Sequence, residues 1–281
     1  MQIGSLNLQN PVCLATAPWQ LAGEGYERLG AIFTRTVTME PRPGRYEEGI
    51  WQVADQTLLN ASNMRTESAE ILVQEFLPGL RRFGVPVLVS ITAPGVPGFR
   101  KIARFLAREV GSLIAGVEVY LTQPDTAGGE ELTAGFVREA TRAVRDELGP
   151  TAAVVVKLPP WPEHIRGLAL GAQQGGADAV AATNLLKALH LPDDAAAAPV
   201  AGGLSGEALR PVALRCVWEL AHDERLTLPV LGTGGIFTTG HVTDYLRCGA
   251  AAVQVGSGEW LAPGLSARLA AECSTLATVQ R

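Results

Sequence analysis

Apolar residues fall along this chain in short, nearly continuous runs separated by longer amphipathic stretches. Runs at Val12–Ala15, Ala31–Val37, Val85–Ile91, Val117–Leu121, Ala153–Lys157, Ala179–Thr183, Val230–Thr233 and Ala252–Val255 predict eight strands. Their apolar continuity suits strands buried on both faces, as a parallel sheet requires. Between them lie helical patterns: "ESAEILVQEFLPGLRRFG", "GFRKIARFLAREV", "ELTAGFVREATRAVRDEL", "EHIRGLALGAQQGG", "GEALRPVALRCVWELAHD" and "TTGHVTDYLRCGA". In the third, Phe136, Ala140, Val144 and Leu148 form an apolar stripe, with charges between Arg142 and Glu147 on the outer face. Strand–helix alternation over roughly the ~250 residues such barrels occupy predicts one α/β domain, a (β/α)8 TIM barrel spanning residues 1–281. An open, doubly wound sheet is the alternative.

Two connections exceed ordinary turn length. The loop at about 39–68 holds Trp51, Asn60 and Asn63, and its length marks a binding loop. The other, at about 185–204, contains "DDAAAAP" and reads equally as a surface insertion.

Composition narrows the partners. The 281 residues carry a net charge of −5 with no basic stripe, which argues against nucleic acid. "MQIGSLNLQNPVCLATAP" lacks a charged, apolar leader pattern, and apolar runs elsewhere stay below the ~20 residues that span a bilayer. Cys13, Cys216, Cys248 and Cys273 are scattered, and His164, His190, His222 and His241 lack metal-ligand spacing. A cytoplasmic protein with free thiols, no metal, no membrane anchor and a small-molecule substrate is expected.

Chemistry concentrates at the predicted strand ends. "PVLGTGGIFTTG" (229–240) and "AVQVGSGEW" (252–260) follow the seventh and eighth strands, where barrels of this kind often bind phosphate. Glycines there let backbone N–H groups approach an anion. Lys157 ends "VVVK", and a lysine closing a buried strand should face the barrel mouth, since burying it unpaired is costly. Arg35, Asn184 and Asn60 sit at equivalent ends or in the long loop. Two cations, two amides and a phosphate nest suit a planar, phosphorylated cofactor better than a free sugar phosphate.

These segments resemble the FMN-dependent dihydroorotate dehydrogenase family, particularly its soluble class. The resemblance runs in order through "NPVCLATAP", "FTRTVTMEPRPG", "LLNASNM", "VKLPPW", "ATNLL", "GGLSGEALRPVAL", "LGTGGI" and "CGAAAVQVGS", covering nearly the whole chain. It implies FMN as cofactor. Ala15, Thr16 and Ala17 would form the turn under the flavin, and Arg35 and Thr36 would meet its edge, with arginine in place of the usual lysine. Lys157 would meet the pyrimidine edge of the isoalloxazine, with Thr183 also against the cofactor. Gly206, Gly234, Gly235, Gly256 and Ser257 would hold the phosphate. Asn60, Ala61, Ser62, Asn63, Met64, Tyr120 and Asn184 would face the substrate. By the same analogy the protein would be a homodimer or work with an electron-transfer subunit.

The match breaks in "AGVEVYLTQPDTAGGEEL" (115–132). The family pattern reads Asn-x-Ser-Cys-Pro-Asn, with cysteine or serine as the base, whereas this chain reads Tyr120-Leu121-Thr122-Gln123-Pro124-Asp125. Gln123 occupies the base position, and an amide has no usable titration near neutral pH. Thr122 and Asp125 are the nearby substitutes. Three readings follow: an oxidoreductase acting on dihydroorotate or a related cyclic amide, a relative that binds FMN or a metabolite without turnover, and a flavin-free phosphosugar barrel.

Overall fold

The computed structural model describes residues 2–18, 21, 23–43, 49–61, 65–121, 132–194 and 197–279, with side chains described as far as 275. A short hairpin of β1 (Gln2–Ile3) and β2 (Leu6–Asn7) precedes the barrel. The barrel strands are β3 (Val12–Ala17), β4 (Ile32–Thr34), β7 (Val87–Ile91), β8 (Gly116–Tyr120), β9 (Ala153–Leu158), β10 (Ala179–Ala182), β13 (Val230–Thr233) and β14 (Ala252–Val255). They close in the order β10-β13-β14-β3-β4-β7-β8-β9, every pair parallel. All eight predicted strands are therefore present, and the barrel, not the open sheet, is the fold.

Helices α3 (Gly95–Glu109), α4 (Ala134–Leu148), α5 (Ile165–Gly175), α6 (Arg210–Ala221) and α7 (Thr239–Arg247) form the outer layer. The first helical pattern becomes α1 (Ala69–Ile71), a π-turn (Leu72–Phe76) and α2 (Leu77–Arg81), with Pro78 carried in the first turn of α2. Two helices follow β14 that the periodicity did not mark: α8 (Ser257–Leu261) and α9 (Leu265–Val279).

Alternation along each strand divides the core in two. Outward residues such as Val12, Ile32, Val89, Val117, Val154, Val180 and Val253 pack against the helices. Inward residues Cys13, Phe33, Leu88, Val155, Ala181, Leu231 and Ala252 fill the lumen, and Ile3, Leu6 and Leu8 from the N-terminal segment join them. A TIM barrel interior is a packed core, and this one is apolar in its lower part.

The two long connections are not free loops. β5 (Ile50–Ala54), β6 (Thr57–Asn60), β11 (Leu186–His190) and β12 (Val200–Gly206) make one antiparallel sheet, ordered β11-β12-β6-β5. The β5–β6 turn escaped sequence reading because it lacks the usual Asn-Gly or Asp-Gly pair; Gln56 itself takes the left-handed conformation at φ 48°. Leu59, Ala61 and Val200 give the sheet a small core of its own.

One predicted strand is shorter than expected. The run from Ala31 leaves the barrel after Thr34, whose Oγ1 accepts the Ser90 backbone N–H at 3.1 Å in place of a ladder partner. The chain returns only as an isolated bridge from Val37 to Ile91. Arg35 and Thr36 are thereby released toward the mouth.

Candidate active site at the barrel mouth

Above the apolar lumen, the next inward layer is polar. Ser90, Glu118, Lys157, Thr233 and Gln254 come from five different strands and are all at least nine-tenths buried. Glu118 accepts hydrogen bonds from Ser90 Oγ (3.0 Å) and Gln254 Nε2 (2.9 Å), and its Oε2 lies 3.5 Å from Lys157 Nζ. Gln254 Oε1 accepts from Lys157 Nζ (3.1 Å) and Thr233 Oγ1 (2.7 Å). Thr36 Oγ1 sits 3.0 Å from Ser90 Oγ, so the network reaches the end of β4. Lys157, expected at the mouth as one of two cations, sits at the top of the lumen near the C-terminal end of β9, 5% exposed, with the Glu118 carboxylate beside it.

Around this layer stand the other candidate residues. Between Leu14 and Ala17 the β3–β4 register shifts, with Thr16 at φ 53°, a bulge that turns Ala15, Thr16 and Ala17 under the mouth. Arg35 is exposed at the rim, with Glu67 and Arg65 the charges acting on it. Thr183 and Asn184 follow β10. Their backbone N–H groups bond to Thr233 and Leu158, yet Thr183 Oγ1 and Asn184 Nδ2 are buried without hydrogen-bond partners among the described residues. Tyr120 is in register with Lys157 across β8–β9. Burial pushes its hydroxyl up to about 12; the facing Asn184 side chain moderates the rise and Glu118 adds to it. Asn60 ends β6 opposite Gly203, and Ala61 is buried beside it.

The glycine loops meet on the opposite side of the mouth. Gly206, Gly234 and Gly235 all have positive φ (84°, 137° and 64°). Cβ atoms there would strike protein: Gln56 O at 2.0 Å, Ala213 Cβ at 2.9 Å and Gly206 O at 2.7 Å respectively. These glycines are required by the fold itself, which modifies the expectation that ligand approach alone demands them. Gly256 differs, because among the described residues a Cβ there would meet only Ala15 Cβ at 3.8 Å, leaving open space above the β3 bulge. Ser257 Oγ donates to Ser205 Oγ at 2.8 Å, joining α8 to β12. Tyr245 Oη donates to Gly234 O at 2.6 Å and His241 Nδ1 lies 3.1 Å from Gly235 O, bracing the loop from below.

Thr122, Gln123, Asp125, Ser62, Asn63 and Met64 lie outside the described residues. Among the described residues the structure brings together Ala15, Thr16, Ala17, Arg35, Thr36, Lys157, Thr183, Asn184 and Tyr120 at the C-terminal ends of the barrel strands. Sequence reasoning missed Ser90, Glu118, Thr233, Gln254 and Ser205. The available signal was a single polar residue inside an apolar strand, as in "VLVSI", "GVEVY" and "AVQV".

A family model described as dihydroorotate dehydrogenase matches residues 1–272. The chain belongs to the dihydroorotate dehydrogenase family. Among its relatives, the catalytic subunit of dihydroorotate dehydrogenase B (NAD(+)) from Desulforudis audaxviator is 36% identical, the alignment covering 99% of this chain and 92% of that one. The corresponding subunit from Pyrococcus abyssi is 34% identical, with 91% and 86% covered. A crystal structure of dihydroorotate dehydrogenase from Eimeria tenella in complex with ferulenol superposes with a TM-score of 0.76 at 20% identity, covering 97% and 82%, and supports the fold. Dihydroorotate dehydrogenases are flavin-dependent oxidoreductases, and this site fits a flavin on three observations of its own. Thr183 Oγ1 and Asn184 Nδ2 are orphaned at the mouth, the space above Gly256 is open, and Lys157 and Thr36 stand beside it. Among the described residues no helix is long and apolar enough to cross a membrane, and no cluster of His, Cys, Asp and Glu is arranged to hold a metal.

Proposed function

We propose that this protein binds FMN at the barrel mouth and transfers hydride between FMN and dihydroorotate or a related cyclic amide. The observation that carries this reading is the buried Lys157–Glu118–Gln254 layer beneath a mouth lined by orphaned Thr183 and Asn184 atoms. FMN, when bound, supplies a hydride acceptor at N5. Gly206, Gly234, Gly235, Gly256 and Ser257 hold the phosphate, Ala15, Thr16 and Ala17 support the ring, and Arg35, Thr36, Lys157 and Thr183 line its edge. Asn60, Ala61, Tyr120 and Asn184 would face the substrate, and by the family resemblance Ser62, Asn63 and Met64 belong to the same set. Arg35 is suited to a substrate carboxylate, because its planar fork can pair bidentately.

The weak point of the machinery is the proton. Gln123 cannot remove one, and losing a positioned base typically costs about 10²–10⁴-fold. Thr122 and Asp125 are the substitutes two residues or fewer away. A second reading, an FMN- or metabolite-binding relative without dihydroorotate turnover, is favoured by Gln123 together with the bulky Tyr120 facing Asn184.

Residues 1–281 act as one catalytic domain on this reading, in the cytoplasm. The relatives are named as catalytic subunits of an NAD(+)-type enzyme. By extension, electrons leave this chain through a partner subunit, and a homodimer of the chain is the core of the assembly. The test is to record the visible spectrum of the purified protein and add dihydroorotate without oxygen. Bleaching of a yellow protein supports turnover. A yellow protein that stays yellow supports the second reading, and a colourless protein that takes up no FMN overturns both.

A further inference from the structure

Glu118 is the hub of the interior polar layer. Both of its oxygens are engaged: Oε1 by Ser90, and Oε2 by Gln254 with Lys157 at 3.5 Å. The Glu118 and Lys157 side chains are 4% and 6% exposed, so water and salt screen the pair little. Gln254 cannot flip, because its Oε1 already accepts from Lys157 and Thr233, which leaves Nε2 for Glu118. A carboxylate has no proton to give, so Ser90 donates to it. The Ser90 oxygen then accepts from Thr36 Oγ1, and Thr36 keeps its own lone pairs for the mouth.

We propose that Glu118 is a positioning residue for the flavin chemistry, anchoring the Lys157 ammonium as a compensated charge and, through Ser90, fixing Thr36 as a hydrogen-bond acceptor toward the mouth. This rests on the FMN reading above and deepens it, since it concerns how the two edge residues act on the ring. Two-electron reduction places negative charge on the isoalloxazine, which a nearby cation favours. With Glu118 present the cation is partly cancelled. Glu118→Gln keeps the shape, removes the anion, and leaves the full charge of Lys157 beside the ring.

The experiment is a reductive titration of the FMN-loaded protein against an indicator dye, on wild type, E118Q, K157M and E118Q/K157M. Expected in E118Q is a rise in the equilibrium constant for reduction on the order of tenfold, which is ~30 mV for a two-electron couple. In the K157M background Glu118 is left as a buried carboxylate without its cation and should be neutralised by a proton, so the same change should leave the potential close to where K157M alone puts it, an outcome that general loosening of the barrel would not produce. A potential in E118Q equal to wild type, or a shift that persists without Lys157, overturns the Lys157 half of the proposal while leaving the FMN reading intact. Wild-type protein that takes up no FMN overturns the FMN reading first. Ser90→Ala retains the ion pair, cuts the Thr36 branch and takes the Ser90 donor from Glu118 Oε1, so it serves if E118Q does not fold. A displaced absorbance maximum of bound FMN is expected, and a spectrum identical to wild type overturns the Thr36 half of the proposal.

Discussion

Gly206 and Gly256 both belong to the glycine clusters, yet the geometry assigns them different work, and alanine at each should separate the two. At Gly206 φ is 84°, and a Cβ would lie 2.0 Å from Gln56 O, with Gln56 C and Thr57 Cα at 2.9 Å. All three are backbone atoms of the β5–β6 turn, so no side chain can swing aside. With ψ at −158° the backbone lies in a region essentially reserved for glycine, which costs alanine at least about 1 kcal/mol, and forcing strands apart adds about 1–3 kcal/mol by the usual cost of overpacking. A total near ~3 kcal/mol corresponds to a fall in Tm of about 6–12 °C at this chain length. Gly256 has φ −116° and nothing nearer its Cβ position than Ala15 Cβ at 3.8 Å. G256A should therefore melt within about 2 °C of wild type, because nothing in the apoprotein resists the methyl group. If the FMN phosphate rests there, the methyl group displaces hydrogen bonds to a charged ligand, worth about 1.5–3 kcal/mol, and Kd rises about 10–100-fold. Thermal melting of the apoprotein and titration of FMN fluorescence give both numbers. G256A protein with unchanged Tm and unchanged FMN affinity would refute the phosphate assignment. G206A protein as stable as wild type would refute the account of the accessory sheet.

Three further outcomes are expected. Gln123→Cys, alone or with Tyr120→Asn, should restore a titratable base and raise the rate of anaerobic flavin reduction by dihydroorotate about 10²–10⁴-fold; no gain in stopped-flow traces from either variant would mean that Gln123 does not occupy the base position. Tyr120 ionises near pH 12 in the fold, chiefly because it is buried, against ~10 when unfolded. The unfolded chain therefore loses its proton first, and stability should fall as pH rises from about 10 through about 12, with Tyr120→Phe removing its share of the slope in urea melts. Burial pushes the Cys13 and Cys216 thiols up to about 12, whereas Cys248 is only partly buried. Disulfide-exchange reagents should modify Cys248 well before Cys13 in the native state, and mass mapping showing Cys13 labelled first would contradict the buried lumen.

The parts legible in the sequence are those governed by local pattern. Eight apolar runs marked eight barrel strands because a strand buried on both faces cannot afford polar residues except where another strand satisfies them. The glycine loops after β13 and β14 announced themselves by composition, although the reason for glycine at 206, 234 and 235 is contact with protein. Illegible were the features set by distant partners. Strand β12 pairs with β6 across some 140 positions of sequence, and no local signal in "AGGLSG" says so. Helix α9 has Ala270 and Leu269 buried but a weakly sided sequence, and its place is set by the Asn10 side chain donating to Ala270 O at 2.9 Å.

The interior polar layer shows why site residues resist reading strand by strand. Ser90 in "VLVSI", Glu118 in "GVEVY", Lys157 in "VVVKL", Thr233 in "VLGT" and Gln254 in "AVQV" are each the single polar residue of an apolar run. Taken alone, each looks like a strand end or a flaw. They come from the neighbouring strands β7, β8 and β9 and from β13 and β14, and closure of the barrel brings them within hydrogen-bonding distance of one another across the lumen. In that layer a lone charge would be costly, so the presence of one buried ionisable residue implies the others. Lys157 stands out in its apolar run, and inside a barrel a buried ammonium demands a partner from another strand. Some neighbouring strand had to supply an anion within reach, and in this chain the acidic residue so placed on a barrel strand is Glu118.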